Sequence, residues 1–210
     1  MKYYLKESLL NLPGEEAHRE MFPMRTVSSE ALKTAKNYRL SGVLALIYPH
    51  ENRHQIILTE RQDYEGNHSS QMSFPGGKIE HSDKNSLDAA LRETYEEIGV
   101  MPNQVEVLGK LTDVYIPVSN FLVHPYVGYL QMAPSYTINE REVKQIVTFD
   151  LTELSKTENR IITEIKTGTG IKLKNIPAFY ISEKIIWGAT ALMLNELKFV
   201  LQRINTNKTI

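Results

Sequence analysis

The chain has no cysteine among its 210 residues. This absence excludes disulfide bonds, thiolate catalysis and cysteine-ligated zinc, and it is compatible with a reducing cytosol. No apolar run approaches the ~18 residues of a membrane-spanning helix. The opening stretch, MKYYLKESLLNLPGEE, lacks the apolar core of about 7–15 residues that a signal peptide carries. We therefore expect a cytoplasmic protein with no membrane partner.

Strong charge of either sign is also missing. Lys and Arg total 24, Asp and Glu total 25, and the net charge is −1. This balance gives no general electrostatic reason to bind nucleic acid or an anionic membrane. The length suits a single domain with a sizeable core. We predict one domain over residues 1–210, with a helical arm at about residues 1–36 to which no chemistry can be assigned.

Short apolar or alternating segments, separated by turn residues, predict an α/β fold. The predicted strands cover residues 42–48, 55–59, 105–111, 113–118, 121–130 and 145–149. The first two strands are close enough in sequence to pair as a hairpin. An amphipathic pattern over residues 186–204 predicts a helix near the end of the sequence.

The stretch from residue 71 to residue 100 carries the most chemistry. Within a predicted helix, Glu93, Glu96 and Glu97 stand at i, i+3 and i+4. At ~100° per residue, these carboxylates share one face. They repel one another, and a divalent cation removes that penalty; hard oxygen ligands suit Mg²⁺ or Mn²⁺. Upstream, a turn is predicted at Pro75-Gly76-Gly77, where glycine allows a close approach of the backbone to a ligand.

These residues resemble the Nudix box, a pattern of Gly, five residues, Glu, seven residues, then Arg-Glu-apolar-x-Glu-Glu-x-Gly-apolar. The positions that match are Gly77, Arg92, Glu93, Glu96, Glu97, Gly99 and Val100. Asp83 replaces the first Glu of the box, and Thr94 replaces an apolar residue. One extra residue precedes Arg92. That spacing resembles the coenzyme A pyrophosphatase branch of the Nudix hydrolases.

Residues outside the box extend the resemblance to the same branch. The upstream signature corresponds here to Ile57-Leu58-Thr59-Glu60-Arg61 and to the run from His68 through Gln71 to Phe74-Pro75-Gly76-Gly77. Ser70 departs from the usual Gly, and Tyr64-Glu65 lack a basic residue often found there. Downstream, Asn139 with Glu142-Val143 and the strand around Tyr126 also fit the branch.

The resemblance implies a Nudix-type α/β/α sandwich around a mixed β-sheet. It also implies metal-dependent hydrolysis of the pyrophosphate bond of coenzyme A or its derivatives, giving adenosine 3′,5′-bisphosphate and 4′-phosphopantetheine. The expected cofactor is Mg²⁺ or Mn²⁺, and the expected partner is this small-molecule substrate. Because Nudix proteins are often homodimers, the analogy also favours a homodimer.

The family's roles can be transferred to individual positions. The implied metal ligands are Gly77, Glu93, Glu96 and Glu97. The implied catalytic residues are Glu93, Glu142 and Arg92. Glu93 and Glu142 compete as the base, and Arg92 orients carboxylates such as Glu93 or Asp83. The implied substrate contacts are Arg61, His68, Gln71, Gly76 and Tyr126.

Two alternatives remain open. The same machinery could hydrolyse ADP-ribose or another nucleoside diphosphate derivative, a choice that the departures at Ser70 and Tyr64 keep open. The chain could instead be a catalytically silent module that senses a nucleotide. Such modules usually lose helix carboxylates, whereas all three are present here. A role in RNA decapping is disfavoured by the charge balance.

Overall fold

The computed structural model describes residues 1–62, 71–167 and 170–207. The strands within these ranges are β1 (Arg39–His50), β2 (Arg53–Arg61), β3 (Met72–Ser73), β4 (Gly76–Lys78), β5 (Glu106–Lys110), β6 (Val114–Ile116), β7 (Phe121–Tyr129), β8 (Val143–Asp150), β9 (Arg160–Lys166), β10 (Lys172–Ile181) and β11 (Lys184–Ile186). The α-helices are α1 (Lys2–Ser8), α2 (Glu15–Arg19), α3 (Ser28–Ala31), α4 (Ser86–Ile98) and α5 (Gly188–Asn207). Short 3₁₀ helices cover Pro102–Gln104, Leu151–Ser155 and Thr157–Asn159.

The main sheet of the described residues is mixed and contains eight strands. Its central strand, β1, runs parallel to β7 and antiparallel to β2 and β4. Strands β5 and β6 extend the sheet beyond β7, whereas β3 and β8 pair with β2. A smaller antiparallel sheet consists of β9, β10 and β11. The predicted α/β fold around a mixed sheet is thus confirmed.

The predicted hairpin is also confirmed, although its first strand is longer than expected. Strands β1 and β2 pair antiparallel, with Ile47 opposite Ile56 and Tyr48 opposite Gln55. The ladder continues past Pro49, which lies opposite His54. Proline is tolerated here because it stands one residue from the end of the strand. The turn is consequently shorter than the sequence pattern suggested.

Helices cover both faces of the main sheet. On one face, α4 packs on a small apolar cluster that includes Leu44, Leu46, Ile57 and Ile98. On the other face, α5 packs on a larger cluster that also receives residues of the N-terminal arm. Each fully buried aliphatic side chain of this kind contributes about 1.5–3 kcal/mol. Among the described residues, no helix has both the length and the apolar character needed to cross a membrane.

A buried carboxylate of α5, that of Glu196, helps to fix the N-terminal arm to this helix. Both oxygens of Glu196 accept hydrogen bonds: Oε1 from Gly14 N at 3.1 Å and from Thr112 Oγ1 at 2.6 Å, and Oε2 from Thr112 N at 2.9 Å. Nε2 of His18 lies 3.3 Å from Oε2. Burial opposes ionisation, but the His18 and Thr112 contacts outweigh it and lower the pKa of the Glu196 carboxyl. The charge is therefore a structural anchor.

Candidate active site

Helix α4 presents one face to the sheet and another to the site. Its N-terminus is capped by Asn85, whose side chain accepts hydrogen bonds from the backbone N–H groups of Leu87 and Asp88 at 2.8 and 3.0 Å. Ala90 and Ile98 are fully buried against the sheet. The helix ends at Ile98, followed by a left-handed Gly99, as the sequence pattern predicted.

The turn predicted at Pro75-Gly76-Gly77 is corrected by the structure. Residues Gly76–Lys78 form strand β4 and pair with β1, because their backbone groups find partners there. Gly77 lies directly beneath the carboxylate of Glu93. A Cβ atom on Gly77 would fall 2.6 and 2.7 Å from the two Glu93 oxygens. The absence of a side chain at Gly77 is therefore what allows Glu93 to lie against the strand.

Glu97 is the most buried carboxylate of the site, with 3% of its surface exposed. Its Oε2 accepts a hydrogen bond from Gly76 N at 3.1 Å. Burial is the main reason that the pKa of Glu97 rises to about 8; the charges of Glu93 and Glu142 add to the rise, and Gly76 N and Arg61 oppose it. A negative charge at this position is therefore poorly compensated by the protein alone.

Arg92 joins three carboxylates. It holds Asp83 through two hydrogen bonds of 3.0 and 2.8 Å, and its Nη1 donates to Glu93 and Glu96 at 3.0 Å each. Its Nη2 also donates to the carbonyl of Lys78 at 3.2 Å, which links α4 to β4. The guanidinium lowers the pKa of Asp83, and Asp83 and Glu93 raise the pKa of Arg92 against the opposing effect of burial. Arg92 thereby fixes side chains on both sides of the site.

The three helix carboxylates differ sharply in exposure. Most of the Glu93 side chain is buried, with 13% exposed. Burial raises the pKa of its carboxyl, Glu96 and Glu142 add to the rise, and Arg92 opposes it. Glu96 is the exposed member, with 48% of its side chain accessible. On the helix face predicted from the sequence, exposure of the carboxylates therefore increases in the order Glu97, Glu93, Glu96.

Glu142 reaches the site from a loop that follows the main sheet's β7. Backbone N–H groups of Thr137 and Asn139 donate to the carbonyls of Ile98 and Glu97 at 3.0 and 2.9 Å. The carbonyl of Glu142 itself accepts from Gln62 N at 2.9 Å, at the end of β2. The loop therefore connects α4 to β2, and Glu142 is close enough to raise the pKa values of both Glu93 and Glu97.

The upstream candidates are only partly described. Arg61 lies near enough to Glu97 to stabilise its charge, and Arg61 N donates to the carbonyl of Gln71 at 3.1 Å. Gln71 therefore starts the segment that leads into Gly76. His68 lies outside the described residues, so its predicted substrate contact stays a prediction.

Tyr126 is held beneath the first turn of α4. Its hydroxyl lies 2.8 Å from Ser86 Oγ, which in turn lies 2.6 Å from Nδ1 of His124. Nε2 of His124 is 3.8 Å from Asp113. Because Ser86 is buried, with 5% of its surface exposed, this chain of polar groups secures the start of the helix and does not offer a nucleophile. Sequence reasoning missed Ser86 and His124, for which no motif gave a signal.

The site residues fit a divalent cation by their chemistry. In the portions of the chain that the structure describes, no three carboxylate, imidazole or thiol side chains already converge as a ligand group. The carboxylates of Glu93 and Glu96 are bound to Arg92, and that of Glu97 is bound to Gly76 N. The donor set is nonetheless rich in hard oxygen atoms, and the missing side chain at Gly77 lets the Glu93 carboxylate lie against the backbone of β4. A cation would also compensate the buried charge of Glu97.

A cluster of carboxylates on a helix, packed over a glycine-containing strand of a mixed sheet, defines an α/β enzyme site. The NUDIX domain model matches residues 39–165, which is more than half of the chain. The chain therefore belongs to the Nudix hydrolase family, and the resemblance seen in the sequence is confirmed. Enzymes of this family act on nucleoside diphosphate derivatives and generally need divalent metal ions.

Individual relatives agree with this assignment. The chain is 32% identical over 142 residues to the uncharacterized Nudix hydrolase NudL of Yersinia enterocolitica, covering 68% of this chain and 71% of that protein. It is 33% identical over 129 residues to the mitochondrial coenzyme A diphosphatase NUDT8 of Homo sapiens, covering 61% and 54% of the two chains. The crystal structure of a MutT/nudix family protein from Enterococcus faecalis superposes with a TM-score of 0.50 at 15% identity, covering 93% of this chain and 74% of that one. This last similarity supports the fold alone.

Proposed function

We propose that the chain hydrolyses the pyrophosphate bond of coenzyme A or its derivatives. The observation that carries this proposal is the position of two residues of the coenzyme A signature, because Arg61 lies near Glu97 and its backbone N–H binds the carbonyl of Gln71. Gln71 opens the short segment that ends at Gly76. The similarity to a coenzyme A diphosphatase supports the same substrate.

The reaction is the addition of water across a P–O–P linkage. One phosphorus gains the hydroxyl group, the bridging oxygen leaves with the other phosphorus, and the water loses a proton. The products from coenzyme A are adenosine 3′,5′-bisphosphate and 4′-phosphopantetheine. Because the anionic oxygens of the substrate repel a nucleophile, catalysis requires positive charge and correct positioning more than covalent chemistry.

We assign cation binding to Glu93, Glu96, Glu97 and the carbonyl of Gly77. A bound divalent cation supplies charge that neutralises phosphate oxygens and makes water more acidic. We assign proton acceptance to Glu142 or Glu93, whose carboxylates lie close to each other. In Glu142, Oε1 accepts a hydrogen bond from Asn139, so Oε2 is the atom that we assign to the proton.

Arg92 acts in this proposal through other side chains. It holds Glu93 and Glu96 while Asp83 holds its guanidinium from the opposite side. A planar group that bonds Asp83 through two parallel contacts fixes orientation better than a lysine would. Arg92 is therefore assigned to positioning of the carboxylates, and the substrate's phosphates are assigned to Arg61.

The experiment compares substrates directly. The protein is incubated with Mg²⁺ or Mn²⁺ and with coenzyme A, dephospho-coenzyme A or ADP-ribose, and the products are separated and identified by mass. We expect the highest kcat/KM with coenzyme A. In Arg61→Ala, the loss of a charge-assisted phosphate contact should lower kcat/KM by roughly 10- to 150-fold.

The control is Arg53→Ala, a substitution at the opposite end of β2 that should leave kcat/KM for coenzyme A unchanged. A higher kcat/KM with ADP-ribose in the wild type would refute the coenzyme A assignment and favour the alternative substrate class. Equal losses for all three substrates in Arg61→Ala would assign that residue to the shared diphosphate.

A further inference from the structure

The loop that carries Glu142 is attached to the C-terminal end of α4 by backbone hydrogen bonds. The last carbonyls of a helix have no partner within it and must be satisfied from outside. Here the carbonyls of Glu97 and Ile98 accept from Asn139 N and Thr137 N at 2.9 and 3.0 Å. Movement of the loop would therefore leave helix carbonyls unpaired.

Asn139 is the centre of this attachment. Its Nδ2 donates to Glu142 Oε1 at 3.1 Å, and its Oδ1 accepts from Arg141 N at 3.2 Å. Its own carbonyl accepts from Glu142 N and Val143 N at 3.0 and 2.9 Å. A single residue thus joins the backbone of Glu97 to the carboxylate of Glu142.

The chemistry of an asparagine is matched to these contacts. Its side-chain oxygen supplies the acceptor that closes the turn at Arg141, and its NH₂ group supplies a donor to the Glu142 carboxylate. Aspartate has the same shape and keeps the acceptor, but it replaces the donor with a second negative oxygen. Alanine removes both groups. The contact to Glu142 can therefore be removed while the turn is kept.

We propose that Asn139 is a positioning residue that holds the Glu142 carboxylate beside the C-terminal end of α4 for hydrolysis. This inference rests on the proposed function, because it assigns a task to the same site. Asn139 acts through Glu142 and does not contact the substrate. Its contribution should appear in kcat and not in KM, since the geometry of a reacting group matters most in the transition state.

The test is a double-mutant cycle that combines Asn139→Asp with Glu142→Gln. In the otherwise wild-type enzyme, Asn139→Asp should lower kcat by roughly 10- to 100-fold, because the charge-assisted contact is lost and the new negative oxygen repels the Glu142 carboxylate. KM should stay unchanged, and the midpoint of thermal unfolding should fall by only a few degrees, about 2–4 °C for each 1 kcal/mol of repulsion. In the Glu142→Gln background, Asn139→Asp should cause no further loss in kcat, because the two side chains act as one unit.

A matched control exists in a distant loop. There, Nδ2 of Asn159 donates to Glu153 Oε2 at 2.8 Å, which is the same pairing of amide and carboxylate. Asn159→Asp should therefore leave kcat unchanged. If Asn139→Asp unfolds the protein, Asn139→Ser replaces it in the cycle, because serine keeps a turn-forming oxygen.

Two results would overturn the inference: an unchanged kcat in Asn139→Asp, or independent losses that multiply in the double variant. The inference and the proposed function fail separately. If the wild type hydrolyses ADP-ribose but not coenzyme A, the substrate assignment fails, and the same cycle is then measured with ADP-ribose.

Discussion

Replacing Gly77 with alanine should separate activity from stability. A Cβ at this position would lie 2.6 and 2.7 Å from the Glu93 oxygens, inside any normal contact distance. The obstructed atoms belong to the end of a flexible side chain, so Glu93 can swing away. We expect this adjustment to cost about 0.5–1.5 kcal/mol, the range for one side chain forced off its preferred rotamer.

The effect of Gly77→Ala on kcat should be much larger than its effect on stability. The displaced carboxylate would move by about 1 Å or more from the position that Arg92 fixes, and misplacement on that scale typically lowers the rate ~10²-fold. Gly76→Ala provides the contrast. Its Cβ would meet the carbonyl oxygen of Gly42 and lie 2.6 Å from Val43 Cα, at a φ of +140°. Neither backbone atom can move away without disturbing the sheet, so we expect the free energy of unfolding to fall by more than ~3 kcal/mol.

The assay measures kcat with coenzyme A and the midpoint of thermal unfolding for both variants. For a chain of this size, 1 kcal/mol corresponds to about 2–4 °C. Gly77→Ala should therefore unfold within a few degrees of the wild type while losing most of its turnover. Wild-type turnover in Gly77→Ala would show that the contact between Glu93 and β4 has no part in catalysis. A large loss of stability without Glu93 displacement would refute the packing argument.

Two further predictions concern single carboxylates. Glu97→Gln keeps an oxygen that can accept the hydrogen bond from Gly76 N, so the variant should fold, but its kcat should fall by at least ~10²-fold. Removal of divalent cations with a chelator should abolish the activity of the wild type. Retained turnover in either test would contradict a role in metal binding. Glu196→Gln places an NH₂ group against donors of Gly14, His18 or Thr112 and should cost about 1–3 kcal/mol in denaturant unfolding. Because folding lowers the pKa of Glu196, its ionised carboxylate stabilises the fold above about pH 4.3, the pKa of an unfolded glutamate. This stabilisation is lost as the pH falls through the pKa of Glu196 in the folded protein. The free energy of unfolding of Glu196→Gln should therefore depend less on pH in the acid range than that of the wild type.

Local patterns were enough to predict part of the structure around the site. Apolar runs and turn residues predicted the β1–β2 hairpin, and Gly99 predicted the end of α4, whereas strand β4 was predicted as a turn because its partner β1 is distant in sequence. The hairpin and the helix end depend on neighbours within a few residues, which the sequence displays directly. The family pattern then indicated which face of α4 carries the chemistry.

Local sequence patterns could not predict that Glu93, Glu96 and Glu97 are buried to different extents. Spacing places them on one face, but burial depends on how α4 is turned relative to the sheet. That orientation is set by contacts distant in sequence, such as the close approach of the Ser86 carbonyl to Gly42. The parallel pairing of β1 with β7 likewise joins segments about 80 residues apart.

The anchoring of the N-terminal arm on Glu196 has a consequence for how the protein folds. The partners of this carboxylate at Gly14 and His18 are 182 and 178 positions away in sequence. Closing so long a loop costs entropy before any contact stabilises it, and contacts of high sequence separation slow folding. The arm precedes α5 in the chain, so its binding surface on α5 is synthesised well after it. Until α5 is available, the apolar side chains of Leu5 and Met21, which are buried in the folded chain, stay exposed to solvent, and exposed apolar surface of this kind favours aggregation.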